Sequence, residues 1–308
     1  MSELILHHYP TSPFAEKARL MLGHKGLAWR SVTIPRWMPK PDLMPLTGGY
    51  RRTPVMQAGA DVFCDTACIA RELERCEPRR PLFPAQLRGQ AAIIGAWADS
   101  ALFFDVVGVV FGTHGAGVPA ELREDRRRFS DGAIDIERYA ADQPHLRARL
   151  RAHLFRLEHA MDSGHAFLLD DQPCYADFCA WGPVWMLMRR VPELEPLRDM
   201  PRLQAWAARM EAIGHGAPAE MSSGEALEVA RATTPAVPVV AHPVDDPGLG
   251  PGSLITVAAD DYGRDPVRGR VVALTAQRVV IRRDDPAIGE VHVHFPRAGF
   301  RLTPAQED

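Results

Sequence analysis

The sequence predicts an α/β domain over residues 1–84, an all-helical domain over residues 85–234 and a small all-β domain over residues 253–308. Strand-like and helix-like runs alternate in the first segment, and only helix-periodic stretches follow in the second. Short β-rich runs separated by turn residues fill the third. A chain of 308 residues is long enough for two or three such domains.

The first domain alternates strands and helices. The predicted elements are a strand at 4–8, a helix at 13–25, a strand at 28–34, a proline- and glycine-rich loop, strands at 54–57 and 61–64, and a helix at 65–77. Gly26 follows the first helix, as a left-handed C-terminal residue would. The order β-α-β, loop, β-β-α is the layout of a thioredoxin-like domain.

The second domain consists of helices alone in this prediction, with no strand between Gln86 and Thr234. Helix-periodic stretches cover 87–112, 121–141, 145–162, 175–190 and 201–213. The longest apolar region, 91–118, contains Asp99, Asp105 and several glycines. It therefore predicts a buried core helix rather than a membrane span.

The third domain follows a segment, 235–252, with five prolines and three glycines, which we expect to be an extended linker that could leave the domain mobile. The runs beyond it are SLITVAA, PVRGRVVALT, QRVVIRR, EVHVHFP and GFRL. They predict a small antiparallel barrel or sandwich, similar in size to an SH3-like barrel. His292 and His294 alternate on one strand, but no third ligand is evident, so we expect packed or surface histidines and no metal.

Composition excludes several classes of function. The net charge of −3 leaves no basic footprint for nucleic acid or for an anionic membrane. No secretory signal is visible at the N-terminus. The five cysteines form no C-x-x-C pair, which is typical of a reducing compartment, so we expect a cytoplasmic protein.

Ser12 has two interpretations. In the stretch HYPTSPFAEKARLML it can cap the first helix, because serine is a favourable N-cap and Pro13 fits the first helical position. It can also hold a reactive hydroxyl at the positive end of that helix. The residues alone leave both roles open, and the two are not strictly exclusive.

Because of four features taken together, residues 1–232 resemble a cytosolic glutathione transferase of the serine type. These features are Ser12-Pro13-Phe14, Thr53-Pro54-Val55, Asp65-Thr66 and the motif DQPCYADF in the helical domain. The resemblance implies a glutathione-binding thioredoxin-like domain, a helical domain that supplies most of the pocket for a small-molecule electrophile, and a homodimer. It does not extend to the last seventy or so residues.

The resemblance implies that Ser12 is catalytic and donates a hydrogen bond to the glutathione sulfur. A free thiol has a pKa of about 8.5, and lowering that pKa by two units takes roughly 2.7 kcal/mol. One hydrogen bond to a charged group contributes about 1.5–3 kcal/mol, and a helix N-terminus about 0.3–1 kcal/mol. One hydroxyl is therefore sufficient. Tyr9, near the end of the first strand, is the rival donor.

The resemblance also assigns residues that bind glutathione as co-substrate. Thr53 would pair through its backbone with the cysteine unit, beside a cis peptide at Pro54. Asp65 and Thr66 would hold the γ-glutamyl end. Arg52 would pair with the glycine carboxylate. The other residues expected here are Phe14, as part of the helix-start motif, and Arg51, Trp37 and Lys40 as alternatives to Arg52.

Helical-domain residues are less informative. The aromatic residues Phe103, Phe104, Phe111, Trp181 and Trp185 should mostly belong to the core, and Phe104, Phe111 or Trp181 is a candidate for the electrophile pocket. Asp177 would occupy the third position of a helix that Cys174 caps poorly.

Two functions follow from these residues. The first is an enzyme that binds glutathione and transfers it to an electrophile. The alternative is a binding or scaffold protein that has lost turnover and recruits a protein partner through its C-terminal β domain.

Overall fold

The structure is a computed structural model that describes residues 2–192, 198–238, 246 and 249–306. The strands are β1 (Leu4–His8), β2 (Ala28–Thr33), β3 (Val55–Ala58), β4 (Asp61–Cys64), β5 (Ala217–Glu220), β6 (Leu254–Ala259), β7 (Val267–Leu274), β8 (Arg278–Asp285), β9 (Gly289–Pro296) and β10 (Phe300–Pro304). The helices are α1 (Pro13–Lys25), α2 (Met44–Thr47), α3 (Thr66–Cys76), α4 (Arg88–Trp97), α5 (Phe103–His114), α6 (Ala120–Phe129), α7 (Ile136–Ala141), α8 (Gln143–Ala160), α9 (Tyr175–Arg190), α10 (Pro201–Ile213) and α11 (Ser223–Arg231).

The N-terminal domain has the predicted thioredoxin-like order. β1 pairs parallel with β2 and antiparallel with β3, and β3 pairs antiparallel with β4. α1 begins after Ser12 and ends at Gly26, whose φ of 64° lies in the left-handed region that a glycine tolerates. The loop after β2 contains one helical turn, α2, that was not predicted; its proline lies in the first turn, where the missing N–H costs nothing.

The helical domain is confirmed, and its apolar region forms one continuous helical run. α4, a π-helical turn at Ala98–Leu102, and α5 follow one another without a break. By length and composition the run Arg88–His114 could cross a membrane, but 56% of its most apolar window is buried inside the protein. It packs against α8 and α9, which agrees with the predicted core helix. Asp177 caps α9 as expected, accepting from the N–H of Cys174 at 3.0 Å.

The end of the predicted helical domain contains a strand, so the expectation of no strand up to Thr234 was wrong. β5 pairs parallel with β2 and extends the N-terminal sheet. Its four residues, APAE, are all exposed and show no alternation, which is why periodicity missed it. α11 then packs on the sheet through buried Ala226, whose carbonyl accepts from Gln57 Nε2 at 2.9 Å.

The predicted C-terminal β domain is confirmed, and it extends the N-terminal sheet. The full order is β10-β6-β7-β8-β9-β4-β3-β1-β2-β5 in a single ten-stranded sheet. β9 pairs parallel with β4, with His294 opposite Phe63. Of the predicted linker 235–252, residues 239–245, 247 and 248 lie outside the described residues.

Two hydrophobic cores hold these units together. One joins α1, α3 and one face of the N-terminal sheet to the helical domain. The other joins the opposite face, α11 and the C-terminal strands, and it includes Ile5, Val62, Ile281, Val293 and Phe295. The C-terminal domain therefore shares a core with the N-terminal domain.

His292 and His294 are buried, as packed histidines. Asp61 Oδ1 lies 2.7 Å from Nε2 of His294, and the His294 ring stacks on Phe63 with centroids 4.4 Å apart. Burial lowers the pKa of His294, against the opposing effect of Asp61. Their role is to join β9 to β4.

Candidate active site

A pocket opens where the three predicted domains meet. The N-terminal domain contributes the start of α1, the segment from Arg36 to Lys40, residues 50–54 and the start of α3. The helical domain contributes residues of α5, α6 and α9, and the C-terminal domain contributes Tyr262. All seven predicted site residues border this pocket: Ser12, Phe14, Arg52, Thr53, Pro54, Asp65 and Thr66.

Ser12 is the N-cap of α1 and borders the pocket at the same time. Its Oγ accepts from the N–H of Ala15 at 3.2 Å, and its side chain is nearly buried, with the residue 2% exposed. Within the described part of the chain, the hydroxyl donates to no acceptor. The cap therefore uses a lone pair and leaves the proton available, so the two roles of Ser12 are compatible.

Tyr9, the rival donor, also borders the pocket. Its hydroxyl lies 3.5 Å from a guanidinium nitrogen of Arg126 on α6, and its carbonyl accepts from the N–H of Ser12 at 3.2 Å. Arg126 also donates to the carbonyl of Arg36 at 3.0 Å, so this arginine joins α6 to the loop after β2. Tyr9 lies against a cation, where its hydroxyl serves as an acceptor.

The Thr53–Pro54 peptide is cis, as predicted. Thr53 Oγ1 accepts from Lys40 Nζ at 3.0 Å, and the same ammonium donates to the carbonyl of Arg51 at 2.9 Å. Burial lowers the pKa of Lys40 to about 8, helped by the charges of Arg126 and Arg51. Lys40 is thus a buried cation at the pocket with neutral hydrogen-bond acceptors as partners.

The N-terminus of α3 is built around Asp65 and Thr66. Asp65 adopts a φ of 75° and caps the helix, accepting from the N–H of Ala67 at 2.8 Å. Thr66 Oγ1 accepts from Lys17 Nζ at 3.0 Å, and Lys17 also pairs with Asp99 at 2.6 Å. Lys17 was not among the predicted site residues; it lies on the face of α1 that meets both α3 and the helical domain.

Arg52 lies at the pocket but already has an anionic partner. Its guanidinium donates to the carboxylate of Asp261 and to the carbonyl of Tyr262. The guanidinium also lies over the Tyr262 ring, 4.1 Å from its centroid. The predicted pairing of Arg52 with a glycine carboxylate would have to compete with Asp261.

Arg51 is held in the same way. Its Nε donates to Asp265 at 2.9 Å and its Nη1 to Asp125 at 3.1 Å, while the guanidinium lies over the Phe129 ring. Asp265 belongs to the C-terminal domain and Asp125 to α6. These contacts were not predicted, because no local pattern shows that Asp261 and Asp265 reach back across more than 200 residues.

The aromatic candidates divide between pocket and core. Phe111 borders the pocket, as does Phe103, whose ring contacts Phe14 at 4.7 Å. Trp181 is buried in the core and donates to Glu16 at 3.3 Å. Phe104 meets Tyr262 edge to face with centroids 5.5 Å apart. Of the three residues considered for the electrophile pocket, Phe111 is the one that borders it.

Comparison with protein families identifies the class. Residues 6–81 match the glutathione S-transferase N-terminal domain, and residues 116–213 match the glutathione S-transferase C-terminal domain. The first match contains the start of α1, the cis proline and the start of α3. The chain belongs to the glutathione S-transferase family.

Solved structures show that the C-terminal strands also occur elsewhere. A GST-like protein from Pseudomonas syringae is 40% identical, with a TM-score of 0.78, over 99% of this chain and 100% of that one. No match was found among curated proteins.

Other solved structures share the fold over a shorter region. A glutathione S-transferase from Rhodospirillum rubrum is 23% identical, with a TM-score of 0.53, over 68% of this chain and 88% of that one. One from Ceriporiopsis subvermispora, in complex with glutathione, is 18% identical, with a TM-score of 0.56, over 68% of this chain and 97% of that one.

Proposed function

We propose that this protein binds glutathione, keeps its sulfur ionised with the hydroxyl of Ser12, and transfers the thiolate to an electrophilic small molecule. The observation that carries the proposal is the hydroxyl of Ser12, which borders the pocket and keeps its proton available while it caps α1. The chain belongs to a family whose Ceriporiopsis subvermispora member has been solved with glutathione, which supports the choice of ligand.

The start of α1 suits a thiolate energetically. A hydrogen bond to a charged acceptor contributes about 1.5–3 kcal/mol, and a helix N-terminus adds about 0.3–1 kcal/mol. Together they supply the roughly 2.7 kcal/mol that lowers a thiol pKa by two units. Ser12 would then act as a hydrogen-bond donor, and the remaining rate enhancement would come from holding thiolate and electrophile together.

Glutathione would lie across the pocket from α3 to Lys40. The hydroxyl and the N–H of Thr66, at the start of α3, suit the γ-glutamyl carboxylate, with Asp65 near its ammonium. The backbone of Thr53 would pair with the cysteine unit. Because Arg52 is paired with Asp261, we assign the glycine carboxylate to Lys40, whose partners are neutral oxygens.

The test is a titration of bound glutathione by the ultraviolet absorbance of its thiolate. We compare the parent protein with Ser12→Ala and with Ser12→Thr, which keeps both the hydroxyl and the capping oxygen. The parent and Ser12→Thr should lower the thiol pKa by about two units, and Ser12→Ala should return most of the way to about 8.5. A parent that binds glutathione with an unshifted thiol contradicts the proposed catalysis.

The alternative, a binding protein without turnover, draws on one observation. Asp261 forms an ion pair with the guanidinium of Arg52, so a cation that was expected to bind the ligand already has an anionic partner in the same chain. In that case the C-terminal β domain would recruit a protein partner. The same titration separates the two functions, because a parent that binds no glutathione points to the alternative.

We also propose that the protein is a homodimer, on the strength of its family alone. Light scattering during size-exclusion chromatography measures the mass directly, and a single-chain mass of 34.1 kDa would overturn this proposal.

A further inference from the structure

The C-terminal β domain reaches the pocket through the turn between β6 and β7, residues 260–266. Among the described residues of that domain, Tyr262 is the one that borders the pocket, together with Ser12 and residues of the helical domain. The site is therefore built from all three domains, and one of its walls comes from the part of the chain that lies outside both family matches.

The ring of Tyr262 is fixed on several sides. Phe104 and Phe129 of the helical domain each meet it edge to face, with centroids 5.5 and 5.4 Å away. The guanidinium of Arg52 lies over it at 4.1 Å and donates to its carbonyl. A ring held by three neighbours can present one surface to a ligand without reorganising.

The 260–266 turn is itself anchored to α6. The N–H of Gly263 donates to the carbonyl of Phe129 at 2.7 Å. A Cβ at Gly263 would lie 2.3 Å from the Phe129 ring, and its φ is +56°, so this position requires glycine. Asp265 pairs with Arg51 at 2.9 Å, and Asp261, on the other side of Tyr262 in the chain, pairs with Arg52. The turn therefore places Tyr262 at the pocket by contacts on both sides of it.

The hydroxyl of Tyr262 has no acceptor within the described residues. Burial raises the pKa of Tyr262 to about 12, against the opposing charge of Arg52. The group is thus a protonated phenol at physiological pH. Near it, Phe14, Phe103, Phe111 and Phe129 also border the pocket, so its apolar side is largely aromatic.

Resting on the proposed transfer of glutathione, we propose that Tyr262 is a specificity-determining residue of this site. Its ring favours a flat aromatic electrophile over an aliphatic one, and its hydroxyl donates a hydrogen bond to an acceptor that such an electrophile carries. Edge-to-face and stacked contacts give a ring this preference, and a donor at the pocket that has no protein acceptor favours ligands that accept from it.

The experiment measures binding of stable thioethers that represent the product, so it does not depend on turnover. Calorimetry compares glutathione, S-hexylglutathione, S-benzylglutathione and the three S-(nitrobenzyl)glutathione isomers. The proteins are the parent, Tyr262→Ala and Tyr262→Phe. Phe155→Ala removes an aromatic side chain that is 36% exposed on α8, outside the pocket, and serves as the matched control.

The parent and Phe155→Ala should bind S-benzylglutathione more tightly than S-hexylglutathione. Tyr262→Ala should lose about two- to tenfold of that preference, the range of one aromatic pair, while glutathione itself binds nearly as before. Tyr262→Phe should keep the preference for S-benzylglutathione over S-hexylglutathione. In the parent, the nitrobenzyl isomer that binds best should bind more tightly than S-benzylglutathione, and Tyr262→Phe should reduce that difference in affinity about two- to tenfold.

Two results would overturn the inference. If the parent binds glutathione and Tyr262→Ala keeps the parent's ratio of benzyl to hexyl affinity, Tyr262 does not determine specificity, and the proposed function stands. If the parent binds no glutathione at all, the proposed function fails and the inference fails with it. If Tyr262→Phe keeps the parent's difference in affinity between the best nitrobenzyl isomer and S-benzylglutathione, the hydroxyl donates no hydrogen bond to the ligand, and that part of the proposal is wrong.

Discussion

In Ser12, the helix cap and the proposed chemistry use different parts of one hydroxyl. A serine hydroxyl has two lone pairs and one proton, and the N-cap needs only a lone pair. Ser12 accepts from Ala15, borders the pocket and has no acceptor for its proton among the described residues, so the proposed bond to a ligand does not compete with the cap. The competition that the sequence suggested between a structural and a catalytic serine therefore disappears once donor and acceptor are counted separately.

The adjacent arginines lead to a different conclusion. Arg51 and Arg52 looked equivalent in the sequence, yet each pairs with its own aspartate of the 260–266 turn. Both pairs are partly exposed, so each should contribute little to stability by itself. Their effect is to fix the position of that turn, whereas Lys40 at the same pocket keeps neutral oxygens as its hydrogen-bond partners.

Lys40 provides a prediction about pH. Because the pKa of Lys40 is lowered to about 8, its charge is present below pH 8 and is lost as the pH rises above it. Affinity for a ligand carboxylate should fall over the same range. With S-methylglutathione, which has no thiol to titrate, the parent should bind progressively more weakly between pH 7 and 9.

Lys40→Met is the variant that isolates this effect, since it keeps the aliphatic stem without the charge. It should bind S-methylglutathione about tenfold more weakly at pH 7, as expected for the loss of a charged hydrogen bond. Calorimetry at several pH values should show a smaller pH dependence than the parent. An unchanged affinity at pH 7 would mean that another group holds the glycine carboxylate.

At the scale of elements, β1 carries two buried histidines. His7 Nε2 donates to Gln57 Oε1 at 2.9 Å, and burial lowers the pKa of His7 to about 4, against that hydrogen bond. Burial lowers the pKa of His8 to about 4 as well, helped by Arg19. Both rings are neutral in the folded protein at neutral pH.

These histidines predict acid sensitivity. Between pH 6.5 and 4 the unfolded chain binds protons at His7 that the folded protein does not, so the free energy of unfolding falls as the pH falls. The full effect of His7 is roughly 3 kcal/mol, from about 1.4 kcal/mol per pKa unit. Urea unfolding at a series of pH values measures it.

Matched variants separate His7 from the other titrating groups. His7→Gln keeps an amide that can bond Gln57 but cannot titrate, so its unfolding free energy should depend less steeply on pH between 6.5 and 4. His145→Gln changes an exposed residue of α8 and should keep the parent's slope. Equal slopes in the parent and in His7→Gln would contradict the prediction.

At the scale of the whole molecule, the continuous sheet joins the first and last domains. β9 completes the edge of β4, and Phe295 of β9 meets Tyr50 of the N-terminal domain with ring centroids 5.8 Å apart. The sequence left open whether the C-terminal β domain is an independent module on a mobile tether. The shared core and the paired strands indicate a domain that folds together with the rest.

Removing residues 235–308 should therefore lower the fraction of the protein that is soluble after expression. The deletion would expose the unpaired edge of β4 and apolar side chains on the face it shares with the C-terminal strands, which favours aggregation. The soluble fraction after expression, compared with the full chain, measures the outcome. A soluble truncated protein that binds glutathione like the parent would show an independent module.

A milder change tests the same packing within the full chain. Phe295→Ala should lower the free energy of unfolding by about 3–5 kcal/mol, as is usual for a buried phenylalanine. Phe155→Ala, at a partly exposed position, should cost much less. If denaturant unfolding shows the same loss of unfolding free energy for both variants, the core shared by the N-terminal sheet and the C-terminal strands contributes less to stability than its burial implies.

The sequence alone determined the local features. It predicted the helix start at Ser12, the glycine that ends α1 at residue 26, the β-α-β, β-β-α order of the N-terminal domain, the cis Thr53–Pro54 peptide through the family motif, and the succession of α/β, helical and β regions. These features depend on neighbours a few residues apart, so capping, periodicity and turn chemistry reveal them. β5 escaped detection because an exposed four-residue edge strand has no such pattern.

Only the tertiary structure decided which distant residues meet. Three features depend on how the last domain packs. They are the pairing of β9 with β4, the ion pairs of Arg51 and Arg52 with aspartates more than 200 residues away, and the position of Tyr262 at the pocket. Charge and aromatic character are visible in a sequence, but their partners are not. Each charged or aromatic residue has many possible partners in the chain, and the packing of the whole chain decides which of them it contacts.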